Sequence, residues 1–194
     1  MRCRTHKIPK NASAAGDIKF PRGDLWVFAY GSLMWNPGFP YKEAQHARIY
    51  GYHRALCVWS WVYRGTPRVP GLVLGLDCGG SCVGRAFRVA RNYREHAVRY
   101  LIEREMITDV YHPLLCPLRL EDNRRVTGLT FQVDRDHDQY AGKLSAERAA
   151  TAVSGATGCN GSNIEYVTNT VDHLAEMGFR DPVLWRVRKL LAEK

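Results

Sequence analysis

An α+β fold, with a strongly curved sheet or small barrel and helices packed against it, is the architecture this 194-residue chain predicts. Two observations point there. Segments of β-branched and aromatic residues come first, between positions 25 and 133, with a single helical pattern among them. Helical periodicity then takes over from about position 145. No internal repeat or low-complexity segment breaks this order.

The first strand is Leu25-Trp26-Val27-Phe28-Ala29-Tyr30, a continuous apolar and aromatic run of the kind that is buried. Gly31-Ser32 ends it, and Asn36-Pro37-Gly38 continues the tight loop. Residues 44–62 carry Ile49, Tyr50, Tyr52, Leu56, Val58 and Trp59, β-type residues broken by Gly51. Arg64-Gly65-Thr66-Pro67 is a loop. Two more strands are expected over 72–76 and 83–89, with Gly79-Gly80 as the turn between them. A helix over 93–105 follows, with Asn92 as its N-cap. Strands near 110–120 and 126–133 flank an Asp122-Asn123 turn. Helices are expected over 145–154, 162–176 and 182–192. Ser162 or Asn163 caps the middle one and Gly178 ends it.

Composition narrows the class. Hydrophobic residues make up 45% of the chain and charged residues 24%, which is ordinary globular usage. No apolar run approaches the ~20 residues of a membrane span, and no signal-peptide pattern opens the chain. The net charge of +9 invites a nucleic-acid partner. Its distribution argues against one. Residues 1–22 hold Arg2, Arg4, Lys7, Lys10, Lys19 and Arg22 against Asp17 alone, which leaves +4 for the other 172 residues. Residues 1–23 are therefore expected to be a disordered basic tail, and 24–194 one domain. Six cysteines are scattered, and only Cys78 and Cys82 lie close together. That pattern argues against a zinc site and for a reduced, cytoplasmic protein without a metal.

Three segments could carry chemistry. In Tyr30-Gly31-Ser32-Leu33-Met34-Trp35, Gly31 is expected to take backbone angles closed to other residues and to let a ligand approach the main chain. Successive N–H groups in such a turn can cradle an anion. On the 93–105 helix, Val98, Leu101 and Glu105 fall on one stripe at about 100° per residue, whereas Glu103 points to solvent. A carboxylate on an apolar face must be paired, protonated or catalytic. The plain alternative is a helix-end Glu bonded to neighbouring Arg104. The third segment is Gly161-Ser162-Asn163-Ile164-Glu165-Tyr166. There Ile164, Val167, Val171 and Leu174 form the expected buried stripe, with Glu165 and Tyr166 off it, exposed or facing a cleft.

These segments, in this order, resemble the ChaC family of glutathione-specific γ-glutamylcyclotransferases, in particular its bacterial branch. The matching stretches are Phe28 to Phe39, Arg64-Gly65-Thr66-Pro67 with Pro70-Gly71-Leu72, and Gly84-Arg85-Ala86-Phe87. They continue with Arg104-Glu105-Met106-Ile107-Thr108 and Tyr111, then Gly161-Ser162-Asn163 with Glu165-Tyr166. Val167 stands where that family more often has Leu. The resemblance covers about 24–192. It implies a small γ-glutamylcyclotransferase-like barrel with flanking helices. It also implies a loop, Tyr30, Gly31, Ser32 and Leu33, that grips the α-amino and α-carboxyl end of a γ-glutamyl group, and Glu105 as the catalytic acid/base. The implied substrate is glutathione, cut to 5-oxoproline and Cys-Gly with no cofactor, no nucleic acid and no membrane partner. The competing expectations are a cyclotransferase for other γ-glutamyl peptides or amines, and a non-catalytic regulator of cation transport.

Overall fold

The apolar run after residue 24 forms β1 (Leu25–Ala29), buried along its whole length, in a computed structural model that describes Phe20, residues 22–106 and residues 108–193. The expected basic tail lies outside the described residues except for Phe20, Arg22 and Gly23. β1 is flanked on both sides, which is why no polar residue interrupts it. It runs antiparallel to β3 (Gly71–Val89), with Val27 opposite Phe87, and parallel to β5 (Arg125–Val133), with Trp26 level with Gly128. With β2 (Glu43–Ser60) and β4 (Tyr111–Leu120) the order β1-β3-β2-β4-β5 closes into a mixed barrel. The curved sheet expected from the sequence is this barrel. Closure leaves no free edge strand.

The chain divides into two units. One holds the described residues up to Arg54 together with Leu76–Asp134, and the other Ala55–Gly75 together with Arg135 onward. The first contains β1, β4, β5, most of β2 and β3, and the helix α1 (Arg94–Glu105). Ala97, Val98 and Leu101 are the buried residues of α1. Aromatic packing fixes the helix in place. Phe39 meets Phe87 of β3 edge-on at 5.9 Å and Tyr100 of α1 at 6.3 Å.

Two expectations are corrected here. Residues 72–76 and 83–89 belong to one strand, β3, rather than to two strands joined by a turn. Gly79 and Gly80 do take positive φ, 101° and 69°, but they bend the strand without reversing it. Asn92 is not the N-cap of α1. It sits inside a 3-10 turn, Arg91–Tyr93, and the helix starts one residue beyond with no side-chain cap.

The second unit is mostly helical. α2 (Ala146–Ser154), α3 (Asn163–Glu176) and α4 (Pro182–Ala192) pack on one another. Two-residue strands β6 (Thr157–Gly158) and β7 (Gly161–Ser162) pair between α2 and α3. Each of these three helices is capped by a side chain. Ser145, Ser162 and Asp181 accept from the N–H groups of Arg148, Ile164 and Leu184. Gly178, with φ of 76°, follows the end of α3. No helix of the described residues is long and apolar enough to cross a membrane.

Candidate active site

The loop after β1 is a short 3-10 turn, Ser32–Met34. The Met34 N–H donates to Gly31 O and the Asn36 N–H to Ser32 O, both at 2.9 Å, so these amides are spent inside the loop. The N–H groups of Ser32 and Leu33 open the turn, where a helical segment has no internal acceptor for them. The side chains of Tyr30 and Leu33 are buried, while Gly31 and Ser32 are half-buried. Tyr30 and Leu33 thus anchor the loop. Arg54 Nε donates to Tyr30 O and its Nη2 to Val83 O at 3.0 Å, which holds the start of the loop. Gly31 takes φ of −131° and ψ of −139°, outside both the helical and the extended regions that side chains favour.

Helix α1 brings Glu105 toward that loop. Glu103 is exposed, whereas the Glu105 side chain keeps 19% of its surface, so the two glutamates divide as the helix period predicts. Burial raises the Glu105 carboxyl above its ordinary value of 4.5, and the Arg104 guanidinium beside it pulls back in the other direction. Arg104 Nε lies 3.3 Å from Glu105 Oε1. The plain alternative, a helix-end Glu paired with Arg104, is thus realised together with burial, and burial is the larger effect.

Arg104 is the residue that sequence reasoning passed over. Its Nη1 donates to Asn36 O at 2.9 Å and to Tyr100 Oη at 2.7 Å, and its Nη2 donates to Ser32 Oγ at 2.8 Å. One guanidinium therefore connects the loop after β1, the body of α1 and Glu105. Its flat fork of donors suits it to this, and a lysine could not reproduce the set. Gly38 makes room for the arrangement. Its φ is 73°, and a Cβ built there would stand 2.0 Å from Tyr100 Oη. The one signal in the sequence is its place in the same matched stretch as Glu105.

The third sequence segment belongs to the second unit and is a clasp. Asn163 is fully buried; its Oδ1 accepts from Leu72 N at 2.6 Å and its Nδ2 donates to Leu72 O at 2.8 Å. Tyr166 Oη accepts from Leu74 N at 3.1 Å. Arg64 reaches Ser162 O at 3.2 Å and lies over the Tyr166 ring. A Cβ at Gly71 would meet Arg64 O at 2.2 Å, so glycine is required for this close approach. The buried stripe of α3 is Asn163, Val167, Thr170, Val171 and Leu174; Ile164, expected there, is exposed. Asn163 takes the inward position because its two bonds satisfy a strand backbone that apolar Ile164 could not. Glu165 is exposed, and Tyr166 is half-buried and bonded.

Other candidate chemistry is thin. Among the described residues, no three His, Cys, Asp or Glu side chains gather where they could hold a metal ion. Cys57, Cys82 and Cys116 are buried, and burial pushes the Cys116 thiol up to about 12.

Known proteins share this sequence and this barrel. Residues 25–194 match the family described as ChaC-like protein. The chain is 37% identical to the glutathione-specific gamma-glutamylcyclotransferase of Escherichia coli K12 over 88% of its own length and 76% of that protein's. It is 28% identical to the human glutathione-specific gamma-glutamylcyclotransferase 1 over 88% of its length and 81% of that protein's. In fold, it superposes on the crystal structure of a yeast gamma-glutamyl cyclotransferase specific to glutathione, with a TM-score of 0.79 at 19% identity, covering 88% of this chain and 96% of that one. A family match running from the first residue of β1 to the end of the chain, joined to the same closed barrel, makes this chain a member of the ChaC-like protein family.

Proposed function

We propose that this chain is a γ-glutamylcyclotransferase that cuts glutathione to 5-oxoproline and Cys-Gly, with Glu105 as the proton shuttle. The observation that carries the reading is the Glu105–Arg104–Ser32 connection: a carboxyl of raised pKa is tied to the loop that, by family resemblance, grips a γ-glutamyl head. The two named relatives given above support the choice of glutathione.

The reaction is an internal cyclisation. The substrate's α-amine attacks its own γ-carbonyl carbon, a C–N bond forms, and a five-membered ring closes. The ammonium first gives up a proton to the Glu105 carboxylate. That proton then passes to the departing nitrogen as the old C–N bond breaks, and the second proton that the ring nitrogen sheds on becoming the lactam N–H goes through the same carboxyl to the released Cys-Gly amine, which leaves as an ammonium. Atoms balance without water. Acid/base help of this kind contributes roughly 10²–10⁴-fold. Holding the chain bent is worth more, about 7–11 kcal/mol for well-oriented internal attack. The loop of Tyr30, Gly31, Ser32 and Leu33 supplies that hold through main-chain N–H groups on the α-carboxylate and the Ser32 hydroxyl.

The test is incubation of pure protein with glutathione, γ-glutamyl-alanine and γ-glutamyl-ε-lysine, with 5-oxoproline and Cys-Gly followed by mass spectrometry. The reading expects 5-oxoproline from glutathione well above the other two. Preference for γ-glutamyl-alanine would move the substrate elsewhere, and no 5-oxoproline from any of the three would remove the activity.

A further inference from the structure

Gln132 of β5 is 8% exposed, and its Oε1 is fully buried with no hydrogen-bond partner among the described residues. A buried acceptor left unpaired is a cost that a fold without use for it would shed, since an apolar side chain of similar size serves as well. The neighbours show what the atom faces. Across the β4–β5 pair Gln132 stands opposite His112, whose Nε2 is engaged 2.8 Å from Asp134 Oδ2. On the other side lies β1. Trp26 is level with Gly128 and Val27 with Leu129, and Thr130 Oγ1 donates to Phe28 O at 3.0 Å. Continuing the Val27–Leu129 register three residues brings Tyr30 level with Gln132, with Gly31 and Ser32 next along the chain. The orphan acceptor thus sits at the end of the barrel that carries the γ-glutamyl loop.

We propose that Gln132 is a substrate-binding residue whose Oε1 accepts a hydrogen bond from the α-amine of the γ-glutamyl group. The inference rests on the cyclotransferase reading above. The loop offers main-chain N–H groups, which suit the α-carboxylate and can accept nothing. The amine brings only donors, and Glu105 takes one of its protons. A remaining N–H needs an acceptor off the loop and close to it. A carboxamide oxygen fits that need, because it accepts from the amine without competing with Glu105 for the proton. A carboxylate at the same place would hold the ammonium and delay the attack.

Gln132→Leu and Gln132→Met remove the acceptor and keep the volume. Both are expected to fold with unchanged or higher Tm, because an unpaired buried polar atom is lost. KM for glutathione is expected to rise about tenfold or more, the loss of one hydrogen bond to a charged group. Glutaryl-Cys-Gly, which lacks only the α-amine, tests the contact itself: its inhibition constant should be the same for wild type and for both variants. A KM for glutathione equal to the wild-type value would overturn the proposal. So would a parallel loss of affinity for glutathione and glutaryl-Cys-Gly, or a fall in Tm with KM intact, which would mark a packing role. Wild-type protein that makes no 5-oxoproline at all would instead remove the underlying reading, and the wild-type control reports that separately.

Discussion

Arg104 Nη2 donates to Ser32 Oγ at 2.8 Å, a bond between residues far apart in the chain that ties the end of α1 to the loop after β1. The same guanidinium holds Asn36 O, Tyr100 Oη and the Glu105 carboxyl, so loop and acid are tied through one side chain. Arg104→Lys should lower kcat/KM about 10–100-fold, because a point charge cannot make the forked set of bonds. Ser32→Ala alone should cost less. In the Arg104→Lys background Ser32→Ala should add little, and a double-mutant cycle on kcat/KM checks this coupling. Strictly additive losses would mean that the two residues act apart.

A second expectation concerns pH. Burial raises the Glu105 pKa in the folded state above its unfolded value. The folded protein therefore holds this proton more tightly than the unfolded chain. The contribution to stability is fully present below the ordinary carboxyl range and is lost as pH rises through the raised pKa. Above the ordinary carboxyl range the buried group therefore costs stability, and Glu105→Gln removes the cost. Urea unfolding should find Glu105→Gln more stable than wild type at neutral pH, with the gap closing as pH falls toward the ordinary value of 4.5. A gap that widens toward acid would reverse the assigned sign.

The Asn163 clasp separates stability from chemistry. Asn163→Ala leaves both Leu72 N and Leu72 O buried without their present partners. The expected loss is roughly 2–5 kcal/mol of unfolding free energy. In denaturant titrations the midpoint should fall, while the folded fraction keeps the wild-type kcat. A large drop in kcat at full folding would place Asn163 in the reaction instead.

Much of this was legible because helix and strand periods are local. The period of α1 alone put Glu105 inward and Glu103 outward, and the aromatic run of β1 announced a buried strand. What escaped reading depends on pairing between distant segments. Arg104 finds its acceptors in a loop about 70 positions earlier, and nothing in its own helix reports them. Gly79-Gly80 carries the residues of a turn, and only the pairing of β3 with its neighbours shows that the strand runs on. From the sequence alone Asn163 reads only as an alternative cap. Its spacing from Val167, Thr170, Val171 and Leu174 marks the interior stripe, and the polar side chain disguised it.

The central claim, that Glu105 moves the proton in a glutathione cyclisation, is tested most directly by the rate of 5-oxoproline release from saturating glutathione by wild type, Glu105→Gln and Glu103→Gln. Gln is nearly isosteric with Glu and cannot shuttle a proton, so Glu105→Gln should fall by about 10²-fold or more while Glu103→Gln stays near wild type. Substantial turnover in Glu105→Gln, or a collapse at Glu103→Gln with Glu105→Gln intact, would contradict the account.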